Sequence, residues 1–117
     1  MGMPDEFSFL SLFECEPNLL DSIVPYFYNK ATYEFCNKSN EKFVVTLCPA
    51  DSDIKIQVNS FDKNEQLSVL DFKFVQAIEI LSGKSDEAMI KIKMECGSAL
   101  IIFKPRFKVL IDYTGNP

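Results

Sequence analysis

Histidine is missing from this 117-residue chain, and its absence excludes a wide range of chemistry. Histidine is the commonest general base near neutral pH and the commonest metal ligand in proteins. Without it the chain cannot build a Ser-His-Asp triad, a Cys-His pair or an H-E-x-x-H zinc site from its own residues. No other pattern indicates catalysis, so we predict a protein that is not an enzyme.

Glycine and long apolar runs are also scarce. The four glycines are isolated from one another, which excludes a glycine-rich phosphate-binding loop. No apolar run approaches the roughly 18 residues that a membrane-spanning helix needs. The first residues lack a basic region followed by an apolar run. We therefore expect no signal peptide, no membrane association and a cytoplasmic location.

Cysteine is present four times, but no two cysteines lie within four residues of each other. This spacing excludes a C-x-x-C redox or zinc pair. In a chain without a predicted export signal, thiols are expected to stay reduced and to be buried as small apolar groups. Cys96 falls on the apolar face of a predicted strand, so we expect it to be buried and unreactive.

Acidic residues outnumber basic ones by 17 to 12, which gives a formal net charge of −5 and an isoelectric point near 4.7. An acidic surface repels the phosphates of nucleic acids and of anionic membranes. The short basic stretch at 104–108 is expected to be a solvated strand end. The overall charge suits either solubility alone or attraction to a basic protein partner.

The clearest structural signal is the alternation in 88–96, where every second residue is apolar and the intervening ones are mostly charged. This period of two predicts a half-buried strand. Gly97 and Ser98 are expected to form a tight turn into a return strand at 99–113, with Pro105 marking a bulge or a sheet edge. We expect one domain over 1–117, built against this hairpin, with 1–4 and 114–117 frayed.

Similar patterns predict further strands at 31–36, 42–48, 54–61 and 67–74. Residues 5–15 fit a strand or a helix, and aromatic content slightly favours the strand. A short helix is predicted at 17–24, and 75–81 fits either element. The expected class is therefore α+β and strand-dominated: an antiparallel meander of about five to seven strands, open or curled into a partial barrel, with a short N-terminal helix.

Paired carboxylates occur at Asp51 and Asp53 and at Asp86 and Glu87. Such pairs can hold Ca²⁺ or share acid–base work. Both pairs lie in predicted loops, and the first lacks the later ligands and the glycine of an EF-hand. We interpret them as solvated turn residues, because turns favour Asp for local hydrogen bonding. No metal and no cofactor are predicted.

Surface recognition is the chemistry that remains, because tyrosines and acids occur together in the first half of the chain. At protein interfaces aromatic side chains anchor and acids steer a cationic partner. The hypothesis is an inhibitor that neutralises a basic protein, with the profile of bacterial antitoxin-like immunity proteins acting on nucleases or other toxins. The alternative is a carrier for a small apolar ligand inside a curled sheet. Oligomeric state is not predicted. The expected partner contacts are Tyr26, Tyr28, Tyr33, Glu34, Asp51, Asp53, Asp62, Glu65, Asp86 and Glu87.

Overall fold

A computed structural model describes residues 2–63, 65–84 and 86–113, which form one α-helix and nine strands. Two short 3₁₀ turns, Tyr26–Tyr28 and Pro49–Asp51, lie between strands. The remaining elements, in chain order, are α1 (Glu6–Phe13), β1 (Asn18–Leu19), β2 (Ala31–Cys36), β3 (Glu41–Cys48), β4 (Asp53–Ser60), β5 (Gln66–Phe72), β6 (Ala77–Lys84), β7 (Glu87–Met94), β8 (Gly97–Lys104) and β9 (Lys108–Tyr113).

The strands form two antiparallel sheets, with β1 to β5 in one and β6 to β9 in the other. Every strand neighbours the next one in sequence, except that β5 and β6 belong to different sheets. The predicted antiparallel, strand-dominated fold with one short helix is therefore confirmed. The strand number is higher than expected, and the sheets do not close into a barrel, because the meander divides at 73–76.

The two sheets and α1 share one core of buried apolar side chains. The alternation predicted at 88–96 is confirmed for Ala88, Ile90 and Ile92, which point into this core. Between the sheets, Phe103 of β8 lies with its ring centroid 5.3 Å from Phe43 of β3. Because fully burying one such side chain contributes about 1.5–3 kcal/mol, these rings hold the two sheets together.

The helix lies at Glu6–Phe13, so the strand favoured for 5–15 is wrong. Asp5 caps this helix by accepting a hydrogen bond from the Ser8 backbone N–H at 2.8 Å. That bond satisfies one of the otherwise unpaired amides of the first turn. The helical stripe of Phe9, Leu12 and Phe13 is buried. Tertiary burial of this stripe outweighs the slight preference of aromatic residues for strands.

The helix predicted at 17–24 is also wrong, because that segment contains β1 followed by irregular chain. The buried Asn29 holds the segment in place. Its side-chain amide donates to the carbonyl oxygens of Asp21 and Val24, and its side-chain oxygen accepts from the Asp21 N–H. These bonds replace the intrahelical bonds that Pro25 cannot make. The ambiguous segment 75–81 is mostly strand, since β6 begins at Ala77.

The turn of the β7–β8 hairpin is two residues earlier than expected. It lies at Glu95 and Cys96, whereas Gly97 is already the first residue of β8. Gly97 has a φ of +155°, and a Cβ there would lie 2.3 Å from the Asp112 carbonyl oxygen. Only glycine fits such a close approach of two backbones. Cys96 is exposed in this turn, so its expected burial is wrong.

The chain ends show one contact that the sequence does not predict. Gly2 forms a parallel bridge with Ala77, and its N–H donates to the Gln76 carbonyl oxygen at 2.9 Å. Met1 and 114–117, which were expected to be frayed, lie outside the described residues. Gly2 therefore attaches the N-terminal segment to the start of β6.

Candidate functional site

Eight of the ten expected contact residues fall into two groups. The first group consists of Tyr26, Tyr28, Asp51 and Asp53, since the two 3₁₀ turns that carry most of it pack against each other. Tyr28 is 70% exposed and stacks edge-on against Phe27. Asp53 lies 3.6 Å from the Lys73 ammonium, so this carboxylate already has a cationic neighbour. Glu34 is exposed on the outer face of β2, apart from both groups.

The second group lies at the other ends of the strands. Asp62 and Glu65 belong to the turn after β4, which the Phe61 N–H attaches to the Asn40 carbonyl oxygen. Asp86 lines a surface cavity of about 280 Å³ together with Cys36, Asn37, Lys38, Lys104 and Pro105. Glu87 is the half-buried first residue of β7. The eight residues of β4 separate the two ends by roughly 25 Å, so the structure does not bring the two groups together.

Tyr33 differs from the surface position expected for it, because its side chain is fully buried. Its ring lies 4.8 Å from the Phe13 ring, and its hydroxyl oxygen is 2.5 Å from that of Tyr26. Burial raises the pKa of both tyrosines, more strongly for Tyr33. Tyr33 therefore cannot contact a partner directly. It holds Tyr26, and thereby the 3₁₀ turn Tyr26–Tyr28, against the core.

This hydroxyl pair predicts unequal effects of two similar substitutions. Tyr26→Phe leaves the fully buried Tyr33 hydroxyl without a partner and is expected to destabilise the fold by about 1–3 kcal/mol. Tyr33→Phe leaves the hydroxyl of Tyr26 without its partner, but Tyr26 is only partly buried, so this substitution should cost less. Urea unfolding of both variants measures this difference. Equal losses, or a double variant in which the two losses simply add, would contradict the pairing.

The charge of the chain is strongly uneven along its length. Residues 1–29 contain five acidic residues and no lysine or arginine, whereas 30–117 contain twelve of each sign. The whole formal charge of −5 therefore comes from the first quarter of the chain. The acids in question are Asp5, Glu6, Glu14, Glu16 and Asp21, and all five are exposed.

Exposed apolar side chains lie among these acids. Phe7 is 71% exposed on α1, on the side of the helix away from the buried stripe. Two neighbouring surface cavities share Phe7 and Glu6. We call their combined lining the Phe7 surface; it contains Met3, Pro4, Asp5, Glu6, Phe7, Leu10, Glu16, Pro17, Leu19, Tyr26 and Phe27.

The Phe7 surface has the composition of an anionic binding site for protein. A large exposed ring is surrounded by smaller apolar groups, with carboxylates at the edge. Single exposed apolar residues are normal on a protein surface, whereas a contiguous set of them indicates a binding site. It includes Tyr26 and reaches Tyr28 through Phe27, so two expected contacts adjoin it. Its other members are absent from the expected set. A count of charge by segment, rather than over the whole chain, would have pointed to the acids among them, Asp5, Glu6 and Glu16.

The described residues offer few side chains that could bind a metal ion or act as a nucleophile. Within 2–63, 65–84 and 86–113, no group of three or more Cys, Asp or Glu side chains is placed to hold a metal ion. The four cysteines are free thiols, and burial raises the pKa of Cys15 and Cys48, which disfavours the reactive thiolate. No helix in the described part of the chain is long and apolar enough to cross a membrane.

The space between the sheets is filled with aromatic rings. Phe13, Phe35, Phe43 and Phe103 contact one another with centroid separations of 4.8 to 5.5 Å. An apolar-ligand carrier needs unfilled volume at this position. The packing of these rings therefore lends no support to the carrier hypothesis.

The fold and the surface together define a small two-sheet protein with an acidic, apolar face on its N-terminal helix. No protein-family model and no curated protein matches the sequence. Among solved structures, the fold is similar to that of a chain in the contact-dependent growth inhibition toxin–immunity protein complex from Klebsiella pneumoniae 342. The TM-score is 0.73 at 16% identity, with 95% of each chain covered. At this identity the similarity concerns the fold.

Proposed function

We propose that this protein is an immunity-type inhibitor that binds a basic protein toxin through the Phe7 surface. The observation that carries the proposal is an exposed aromatic cluster bordered by the carboxylates of Asp5, Glu6 and Glu16, in the quarter of the chain that holds the whole net negative charge. The similarity of fold to a chain of a toxin–immunity protein complex supports this class of function. The absence of histidine favours the inhibitor rather than the toxin of such a pair, since many toxins are enzymes.

The proposed mechanism is occlusion by charge and shape. The carboxylates of Asp5, Glu6 and Glu16 accelerate the encounter with a cationic partner, because opposite potentials steer association. Phe7 and Phe27 then enter apolar pockets of the partner and account for most of the affinity. The inhibitor needs no chemical step, because covering the active site of the partner is sufficient.

A nuclease is the toxin class that fits this surface best. Nucleases bind phosphates, and their substrate clefts therefore carry Lys and Arg side chains. An array of carboxylates can occupy the positions of those phosphates. Binding of this kind would take place in the cytoplasm, where a nuclease toxin meets its substrate.

The test compares two double charge reversals, each co-expressed with a candidate toxin taken from the genes beside this one. Glu6→Lys with Glu16→Lys reverses two charges of the Phe7 surface. Asp62→Lys with Glu65→Lys changes the net charge by the same amount in the turn after β4. We expect the first pair to lower affinity by at least about tenfold near 150 mM salt and to abolish protection from the toxin. The second pair should retain both affinity and protection.

The dependence of affinity on salt supplies the second measurement. Wild-type affinity should fall as salt rises, and the Glu6→Lys, Glu16→Lys variant should show a weaker dependence. An acidic partner, or an affinity that does not change with salt, would refute electrostatic occlusion. Loss of protection with the Asp62→Lys, Glu65→Lys control alone would move the interface to the opposite end of the strands.

A further inference from the structure

The edge strand β9 exposes apolar side chains on both of its faces. Among the described residues β9 pairs only with β8, so its other side presents unpaired backbone groups. Leu110 on the outer face is 49% exposed. Ile111 is paired with the buried Ala99 and so points toward the inner face, yet it is 62% exposed. Natural proteins normally protect such an edge, because an uncovered apolar edge promotes pairing with another chain.

The other strands at the edges of the sheets differ from β9. β6 is already bordered at its start by Gly2, whose backbone bonds to Gln76 and Ile78. β1 has only two residues. β5 carries exposed Leu67 and Val69, but its one acid, Asp71, has no basic residue within the strand to oppose it. Of the two long edges that no other described segment borders, β5 and β9, only β9 carries both charge signs among its apolar residues.

The order of residues in β9 is self-complementary. Lys108, Leu110 and Asp112 alternate on the outer face, opposite Ile102, Leu100 and Ser98 of β8. If two such strands pair antiparallel with Leu110 at the centre, each Lys108 lies opposite the Asp112 of the other copy. Directly opposed charges of unlike sign stabilise an antiparallel pair, whereas like charges destabilise it.

We propose that β9 pairs antiparallel with β9 of a second copy of this chain, with the two-fold axis passing through Leu110. This register gives two Lys108–Asp112 pairs and a Leu110–Leu110 contact on the outer face. On the inner face it brings each Ile111 against Val109 of the other copy. The two four-stranded sheets then become one continuous eight-stranded sheet, and both exposed edges disappear.

The proposed dimer leaves the Phe7 surface free. Phe7 lines a surface cavity with Ile80 and Gly83 of β6, at the opposite edge of the sheet from β9. Strands are about 4.8 Å apart, so β7 and β8 separate the two surfaces by more than 10 Å. The proposal therefore does not depend on the proposed toxin binding, and each dimer would present two Phe7 surfaces.

The experiment uses sedimentation velocity on the full chain and on charge-reversed variants. Wild-type protein at about 100 µM should sediment mainly as a dimer and dissociate on dilution. Lys108→Asp alone places Asp opposite Asp112, and Asp112→Lys alone places Lys opposite Lys108. Each is expected to weaken dimerisation by at least about tenfold. An equimolar mixture of the two variants should dimerise again, because every opposed pair is then of unlike sign.

A matched control and three outcomes decide the proposal. Lys91→Asp reverses a charge on the outer face of β7, away from the edge, and should leave the dimer unchanged. A double Lys108→Asp, Asp112→Lys variant should dimerise like the wild type. A wild type that stays monomeric at the highest concentration would overturn the proposal. So would a dimer that single reversals do not weaken, or a mixture that remains monomeric while circular dichroism shows folded variants.

Discussion

Replacing Phe103 by Ala is expected to destabilise the fold by about 3–5 kcal/mol, the largest effect among the substitutions considered. Phe103 is fully buried, and its ring contacts Phe13 of α1, Phe35 of β2 and Phe43 of β3. The substitution would leave a cavity where the two sheets and the helix meet. Since domains of this size are stable by about 5–15 kcal/mol, much of the margin would be lost. Urea unfolding monitored by circular dichroism measures this change in the free energy of unfolding.

The control for this prediction is Phe74→Ala, because Phe74 is among the most exposed phenylalanines of the chain. Its loss should change stability by less than about 0.5 kcal/mol. A Phe103→Ala protein as stable as this control would mean that the rings between the sheets do not hold the sheets together.

Replacing Phe7 by Ala is expected to weaken binding to the proposed toxin by about 30-fold or more. Buried aromatic anchors at interfaces commonly contribute 2 kcal/mol or more on truncation, which corresponds to roughly this factor. The fold should be unaffected, because Phe7 lies on the exposed side of α1. Isothermal titration calorimetry gives the affinity, and thermal unfolding checks the fold.

Phe61→Ala is the matched control for Phe7→Ala. Phe61 is similarly exposed but lies in the turn after β4 and is not among the residues that line the Phe7 surface. It should bind the toxin as tightly as the wild type. If Phe61→Ala and Phe7→Ala reduce affinity equally, or if neither does, the Phe7 surface is not the interface.

Much of the sheet structure could be predicted from the sequence, because it rests on a local pattern. The strands with clean alternation, such as Asp53–Ser60 and Glu87–Met94, are present close to the expected positions. Each has one face in the core, so a shift by one residue would expose its isoleucines. Burial on one face therefore fixes both the position and the register of these strands.

The errors occur where long-range contacts decide between two local options. The sequence 5–15 fits a strand or a helix, and the core that receives Phe9 and Phe13 selects the helix. The segment 17–24 has helical spacing, but the buried Asn29 side chain holds it in another conformation from outside the segment. Gly97 is needed for its close approach to Asp112 on β9, fifteen residues later, and not for a turn.

The candidate site was predicted only in part for a similar reason. Tyr26 and Tyr28 lie at or beside the Phe7 surface, whereas Tyr33 is in the core. Which of several nearby tyrosines is exposed depends on how α1 packs, and the sequence favours a strand rather than a helix for that segment. Phe7 itself resembles a core residue in sequence, because nothing local distinguishes it from Phe9 or Phe13.

On helix α1, the residues that pack the core alternate closely with residues that face the solvent. Phe9, Leu12 and Phe13 are buried, whereas Phe7, Leu10 and Ser11 are exposed one or two positions away. The outward positions can therefore change in size and charge without altering the packing of the sheets. A protein that must follow a changing partner would be able to alter its specificity on this helix while its fold stays the same.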